Sequence, residues 1–120
     1  MQITPEQAQI ISEKWVEYWN NDSVEKYLTL YDDEATLVSS VALRLMPETF
    51  GRISGKSQML KYWTLVRVNF PQFKFRINRT EIYENKVIVY YESIVDNSKV
   101  IAILSINEKL LIKKIEVSYV

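Results

Sequence analysis

Apolar residues recur every three or four positions up to Phe70, and every second position after Phe73. The first half of the chain therefore predicts helices and the second half strands. Thr4, Pro5 and Gln7 form a T-P-x-Q start, which is a capping box with proline at the first helical position. Ala8, Ile11, Trp15 and Tyr18/Trp19 follow at helical spacing, and Asn20-Asn21-Asp22 ends the helix. Asp22 or Ser23 caps a short second helix with Val24, Tyr27, Leu28 and Tyr31 on one side. Asp32-Asp33-Glu34 reads as an acidic break before a β-branched strand, Ala35–Ser40.

The segment Val41–Phe50 carries Leu43, Leu45, Met46 and Phe50, too apolar for a free loop, and is expected to fold back over the body. A third helix is predicted over Lys56–Asn69. Met59, Trp63, Val66 and Phe70 form its stripe, and Leu60, Leu65 and Val68 widen it, so it should be mostly buried. Pro71 stops it. Four strands follow, near Phe73–Tyr83, Lys86–Val95, Lys99–Ile106 and Leu111–Tyr119. The breaks between them are short enough for hairpins, so they predict an antiparallel meander. The order is helix, helix, strand, helix and four strands. That is an α+β layout with helices on one face of a curved sheet, in a single domain spanning 1–120.

Composition narrows the chemistry. The chain has no cysteine and no histidine, which removes disulfides, thiol nucleophiles and Cys/His zinc sites. A base working near neutral pH would have to be a perturbed Asp, Glu, Lys or Tyr. Fifteen acidic residues balance fifteen basic ones, so no net field draws in nucleic acid or anionic lipid. No apolar run approaches the roughly 20 residues of a membrane span, and the start MQITPEQAQII lacks a signal-peptide pattern. The expectation is a cytoplasmic protein with no nucleic-acid or membrane partner and no cofactor or metal.

One stretch invites a nucleotide. In G-R-I-S-G-K-S-Q, Gly51 to Gln58, a glycine precedes G-K-S, but only three residues separate Gly51 from Gly55, one fewer than a phosphate loop requires. No parallel strand precedes it in a βαβ unit. The two glycines instead permit a tight backbone, with Ser54 or Ser57 capping the third helix.

The same stretch helps to carry a resemblance. W-V-E-Y-W-N-N-D (Trp15–Asp22), Y-D-D-E-A-T-L (Tyr31–Leu37), G-R-I-S-G-K-S-Q-M-L-K-Y-W (Gly51–Trp63) and the P-x-F-x-F entry at Pro71 resemble the nuclear transport factor 2-like superfamily, and within it the SnoaL-like family. The resemblance covers essentially the whole chain. It implies a cone-shaped, cystatin-like fold, in which a bent sheet wraps a long helix around an internal pocket. It also implies a homodimer through the outer sheet face. Independently, K-V-I-V-Y-Y-E-S-I-V and K-V-I-A-I-L-S-I carry apolar residues on both faces, and the face turned from the helices needs a partner.

Enzymes of this fold carry out proton chemistry on bound apolar molecules. The ketosteroid isomerase pattern needs a Tyr on the first helix, an Asp base ending the first strand and an acid on the third meander strand. Those positions fall at Trp15, Ser39 and Ser105, so the triad is not matched and activity is undecided. Epoxide-hydrolase-like members use an Asp-Arg-Asp set, for which Arg79 with Glu92 is the nearest candidate. Glu92 reads two ways: an acid or base inside the cone, or a surface carboxylate on the other sheet face paired with Lys or Arg. Adjacent acids such as Asp32, Asp33 and Glu34 rarely converge on a metal, and read as a solvated cluster at a helix end.

The expected pocket lining is Trp15, Trp19, Tyr31 and Trp63 from the helical half. The strands add Ser39, Phe75, Tyr90 and Ser105, and Val41–Phe50 serves as lid or plug. Two functions are open. One is an apolar pocket for a small hydrophobic molecule. The other is a non-enzymatic dimerisation or protein-interaction scaffold with its pocket plugged. They part on whether an open cavity exists that any of Ser39, Arg79, Glu92 or Ser105 faces.

Overall fold

The fold is described from a computed structural model covering residues 2–120. Helix α1 runs Pro5–Asn20, α2 Val24–Leu28, α3 Ser40–Leu45 and α4 Gly55–Asn69. A 3-10 turn, Pro47–Thr49, follows α3. The strands are β1 Tyr31–Val38, β2 Arg52–Ser54, β3 Phe75–Tyr83, β4 Lys86–Ser93, β5 Lys99–Ile106 and β6 Ile112–Tyr119.

The capping box forms as the sequence predicts. Gln7 N–H donates to Thr4 Oγ1 at 3.1 Å, and Thr4 N–H donates to Gln7 Oε1 at 3.0 Å. The helix buries Ala8, Ile11, Trp15 and Trp19, which are three or four residues apart on one face. It closes at Asn21, and Asp22 turns the chain with φ +58°. Asp22 then holds α4 and β3, because Arg67 and Lys74 both donate to its Oδ1, the latter at 2.7 Å.

The six strands form one sheet in the order β2-β1-β6-β5-β4-β3. The predicted meander is its antiparallel half. The join between β1 and β6 is parallel, a non-local pairing that no short-range pattern announces. Inward rows run through Leu37, Val87, Val89, Tyr91, Val100, Ala102, Leu104 and Ile115, all buried against the helices. The outer face carries Ile88, Tyr90, Ile101 and Ile103, half-buried.

Several expectations are corrected here. Asp32-Asp33-Glu34 is not a break but part of β1, within a register irregularity between Tyr31 and Thr36. Tyr31 opens that strand and does not extend α2. The strand ends at Val38, and Ser39 caps α3 by accepting from Val41 N–H at 3.1 Å. Three residues before α4 form β2, too short to show a period. Ser54 precedes α4 without a side-chain cap; Gln58 Oε1 reaches back to accept its N–H at 2.8 Å. Helix α4 buries Met59, Tyr62, Trp63 and Val66, while Leu60, Val68 and Phe70 stay exposed. Only one stripe of this helix meets the sheet and α2, so its wider apolar band stays wet.

Candidate functional site

Between the inward rows and the helices lies an open cavity of about 450 Å³, within the size range of small-molecule sites. Its walls are aromatic. Trp15 and Trp19 come from α1, Tyr27 from α2, Trp63 from α4, Phe75 from β3 and Tyr91 from β4. The rings brace one another. Trp15 meets Phe75 at 5.1 Å and Tyr91 edge-on at 5.3 Å, and Trp63 meets Trp19 at 5.0 Å and Tyr27 at 5.2 Å. Trp19 is fixed further: its indole N–H donates to Phe73 O at 3.1 Å, and the Arg67 guanidinium lies 4.6 Å above its ring.

A directed chain of hydrogen bonds runs into this wall. Trp15 Nε1–H donates to Tyr31 Oη at 3.1 Å, and Tyr31 Oη–H donates to Tyr27 Oη at 2.8 Å. An indole can only donate, which fixes the direction of the first step. The Tyr27 proton is left with no acceptor among the described residues, on a side chain that forms part of the cavity. Trp63 Nε1 is likewise buried with no partner among the described residues. Both are donors that a bound molecule could satisfy.

A second polar group gathers where β1, α3, α4 and β6 meet: Ser39, Arg44, Tyr62 and Tyr119. On another part of the wall, the β4–β5 turn supplies Ser93, Asp96 and Ser98. Asp96 accepts from Ser98 N–H at 3.0 Å and Ser98 Oγ–H at 2.8 Å. These bonds hold its carboxyl below the usual carboxylate range, which makes it a weak base. Burial pushes the phenols of Tyr27, Tyr31 and Tyr91 up. It also raises Tyr62 and Tyr119, against the opposing pull of Ser39 and Arg44. All five stay neutral at physiological pH and act as hydrogen-bond donors rather than bases. Asp96 and Arg44 are the ionised groups on the wall at that pH.

Of the residues singled out from sequence, Trp15, Trp19, Ser39, Trp63 and Phe75 meet at this cavity. Tyr31 lies behind the wall, fully buried, with its hydroxyl between Trp15 and Tyr27. Tyr90, Ser105 and Glu92 alternate onto the outer face of the sheet, away from the cavity. Glu92 is paired with Arg76 at 2.8 Å, the surface alternative of its two readings. Arg79 does not meet Glu92; it reaches Glu81 at 3.4 Å and stacks 4.1 Å over Tyr90. The bulge between Ile77 and Arg79 sets this register. Val41–Phe50 is neither lid nor plug. Val41 and Arg44 stand in the cavity wall, Ala42 and Met46 are buried, and Leu43 and Phe50 face solvent.

Tyr27, Arg44, Tyr62, Tyr91, Asp96 and Tyr119 were not singled out as site residues. Tyr27 was legible on an inward stripe, whereas Tyr91 competed with Tyr90 for the same role. The acidic run does not converge on a cation position. Asp32 accepts from Glu34 N–H and Asn107 Nδ2–H, and Asp33 pairs with Lys56 at 3.3 Å. Among the described residues no group of three acids could hold a metal, and no helix is long and apolar enough to cross a membrane.

An α+β cone with an aromatic interior defines the class, and comparison with known proteins agrees. The SnoaL-like domain model matches residues 12–105, and the chain belongs to that family. No curated protein matches by sequence. Among solved structures, a SnoaL-like protein of unknown function from Burkholderia thailandensis E264 superposes with a TM-score of 0.92 at 22% identity. It covers 100% of this chain and 99% of its own. A protein of unknown function with a cystatin-like fold from Methylobium petroleophilum PM1 gives 0.75 at 13% identity, covering 99% and 79%. An NTF2-like protein of unknown function from Cytophaga hutchinsonii gives 0.70 at 11% identity, covering 100% and 93%. At these identities the likeness is one of fold.

Proposed function

We propose that this SnoaL-like domain binds a small, largely apolar molecule in its cavity and does not run isomerase-type proton transfer on it. The observation that carries the proposal is the wall itself. Indoles and phenols surround open space, orphan donors are present, and among the described residues the one carboxylate on the wall is already held by Ser98. Ketosteroid-isomerase chemistry needs a carboxylate base facing the substrate. Ser39 lines the open cavity, which supports the pocket over the plugged scaffold. A cytoplasmic location belongs to the same proposal and is open to cell fractionation.

The test is a thermal-shift series with aromatic and alicyclic compounds on wild type and Val117→Phe, which fills the cavity from β6. A ligand at about 100 times its Kd adds roughly 2.7 kcal/mol, visible as a rise of several degrees. The rise should be lost in the variant. If no compound shifts the wild type, the domain is not a small-molecule binder.

A second copy of the chain is proposed to cover the outer sheet face. Ile88 pairs across the sheet with Ile103, and Tyr90 with Ile101, forming one half-buried apolar row. Opposite charges flank it as Arg76–Glu92, Arg79–Glu81 and Lys114–Glu116. A patch flanked by both signs can meet its own image without like-charge repulsion.

A further inference from the structure

The polar group at the β1–α3 junction narrows the ligand beyond "apolar". Ser39 follows the first strand and caps α3, so the first turn of that helix is pinned to the cavity edge. Arg44, one turn further on, brings a guanidinium to the same wall. Among the described residues it takes part in no ion pair, although Arg67, Arg76 and Arg79 each have a carboxylate. Tyr62 arrives from α4 and is 2% exposed. Tyr119 arrives from the end of β6. All four line the same cavity, and Ser39 and Arg44 both oppose the burial that raises the two phenols.

Donors outnumber acceptors in this group. Arg44 offers five N–H donors and no acceptor, and each hydroxyl offers one proton. Ser39 Oγ already accepts from Val41 N–H. The carboxylate of Asp96, on the β4–β5 turn, is engaged by Ser98 and does not pair with Arg44. A single cation backed by neutral hydroxyls suits a monoanion. A phosphate dianion would ask for more positive charge than this wall holds. A planar carboxylate fits the guanidinium fork and leaves lone pairs for the phenols.

We propose that the cavity takes a monocarboxylic acid with an aromatic or alicyclic body, its carboxylate held by Arg44, Ser39, Tyr62 and Tyr119 and its rings held among Trp15, Trp19 and Trp63. This rests on the cavity being a ligand site, and the experiment separates the two claims. 2-Naphthoate and its methyl ester share a body and differ in charge. Calorimetric titration at neutral pH should show the acid binding at least about tenfold tighter than the ester, the scale of a charge-assisted pair. Arg44→Gln, at an exposed helix position, should fold normally and lose the preference for the acid over the ester. Tyr62→Phe should reduce the preference by a smaller factor. An ester that binds as well as the acid, or a preference that survives Arg44→Gln, overturns the carboxylate assignment and leaves the cavity standing as a binding site. If neither compound binds, both claims fall.

Discussion

Trp15 hands its indole proton to Tyr31, and both side chains are out of contact with water. Tyr31 passes its own proton to Tyr27, so one hydroxyl accepts and donates at once. Replacing Tyr31 by Phe removes the acceptor of a buried indole N–H. A loss of about 1–3 kcal/mol is expected. Tyr27→Phe should cost less, because the Tyr31 hydroxyl can swing to a new partner. Urea unfolding of the two variants checks the order, and equal costs would contradict the direction of the chain.

Asp22 receives both Lys74 and Arg67. The hydrogen bond from Lys74, then that from Arg67, holds its carboxyl below the ordinary value of 3.8. A depressed folded pKa contributes stability that is present above the unfolded value and lost as pH falls through the folded one. Wild-type Tm should therefore fall as acid is added below about pH 4, and Asp22→Asn should flatten that decline. Asp96, lowered by Ser98, adds a slope of the same sign. Melting curves of wild type and variant from about pH 6 to about pH 3 test this; parallel curves would remove Asp22 from the account.

Gly51 and Gly55 both sit at positive φ, +82° and +81°. A Cβ at Gly51 would also meet Ser39 O at 3.2 Å and Leu43 Cβ at 3.4 Å, whereas one at Gly55 would come no nearer than 3.8 Å, to Asp33 O. Gly55→Ala should cost about 1 kcal/mol from the backbone alone. Gly51→Ala should cost more, because Ser39 and α3 must shift. Denaturant midpoints of the pair decide it.

Glu92 lies on the outer face with Arg76. Glu92→Gln should leave ligand binding unchanged and alter stability by no more than about 1 kcal/mol, as for a surface ion pair. A change in affinity under calorimetry would place Glu92 in the site after all.

Ile101→Lys puts a charge in the centre of the outer apolar row. Wild type should run as a dimer by light scattering at micromolar concentration, and this variant as a monomer. A monomeric wild type would end the proposal of a second copy.

The limits of legibility in the sequence have physical causes. Helix α1 was plain because its cap, its proline and its Trp15/Trp19 stripe all point the same way. The sheet faces were harder. In Val87-Ile88-Val89-Tyr90-Tyr91 both alternating rows are apolar, so a period of two locates the strand without saying which row is inside. The inner row proved to be that of Tyr91, and Tyr90, Glu92 and Ser105 went outside together. Arg79 was misplaced by the bulge after Ile77, which shifts a strand's facing by one residue. Ser39 is legible at the cavity because it directly follows the first strand. Arg44 carries no such signal, because a helix of six residues has too few turns to show a stripe.

The parallel seam between β1 and β6 also orders events in time. Strand β1 precedes β3, β4 and β5, yet its partner across the seam, β6, follows all of them. Until residues 112–119 are in place, β1 has no strand partner but β2, and the meander has an open edge at β5. Contacts so distant along the chain are slow to close. Until that seam closes, the aromatic interior lacks one side of its cover, the interval in which this chain most needs shelter from aggregation.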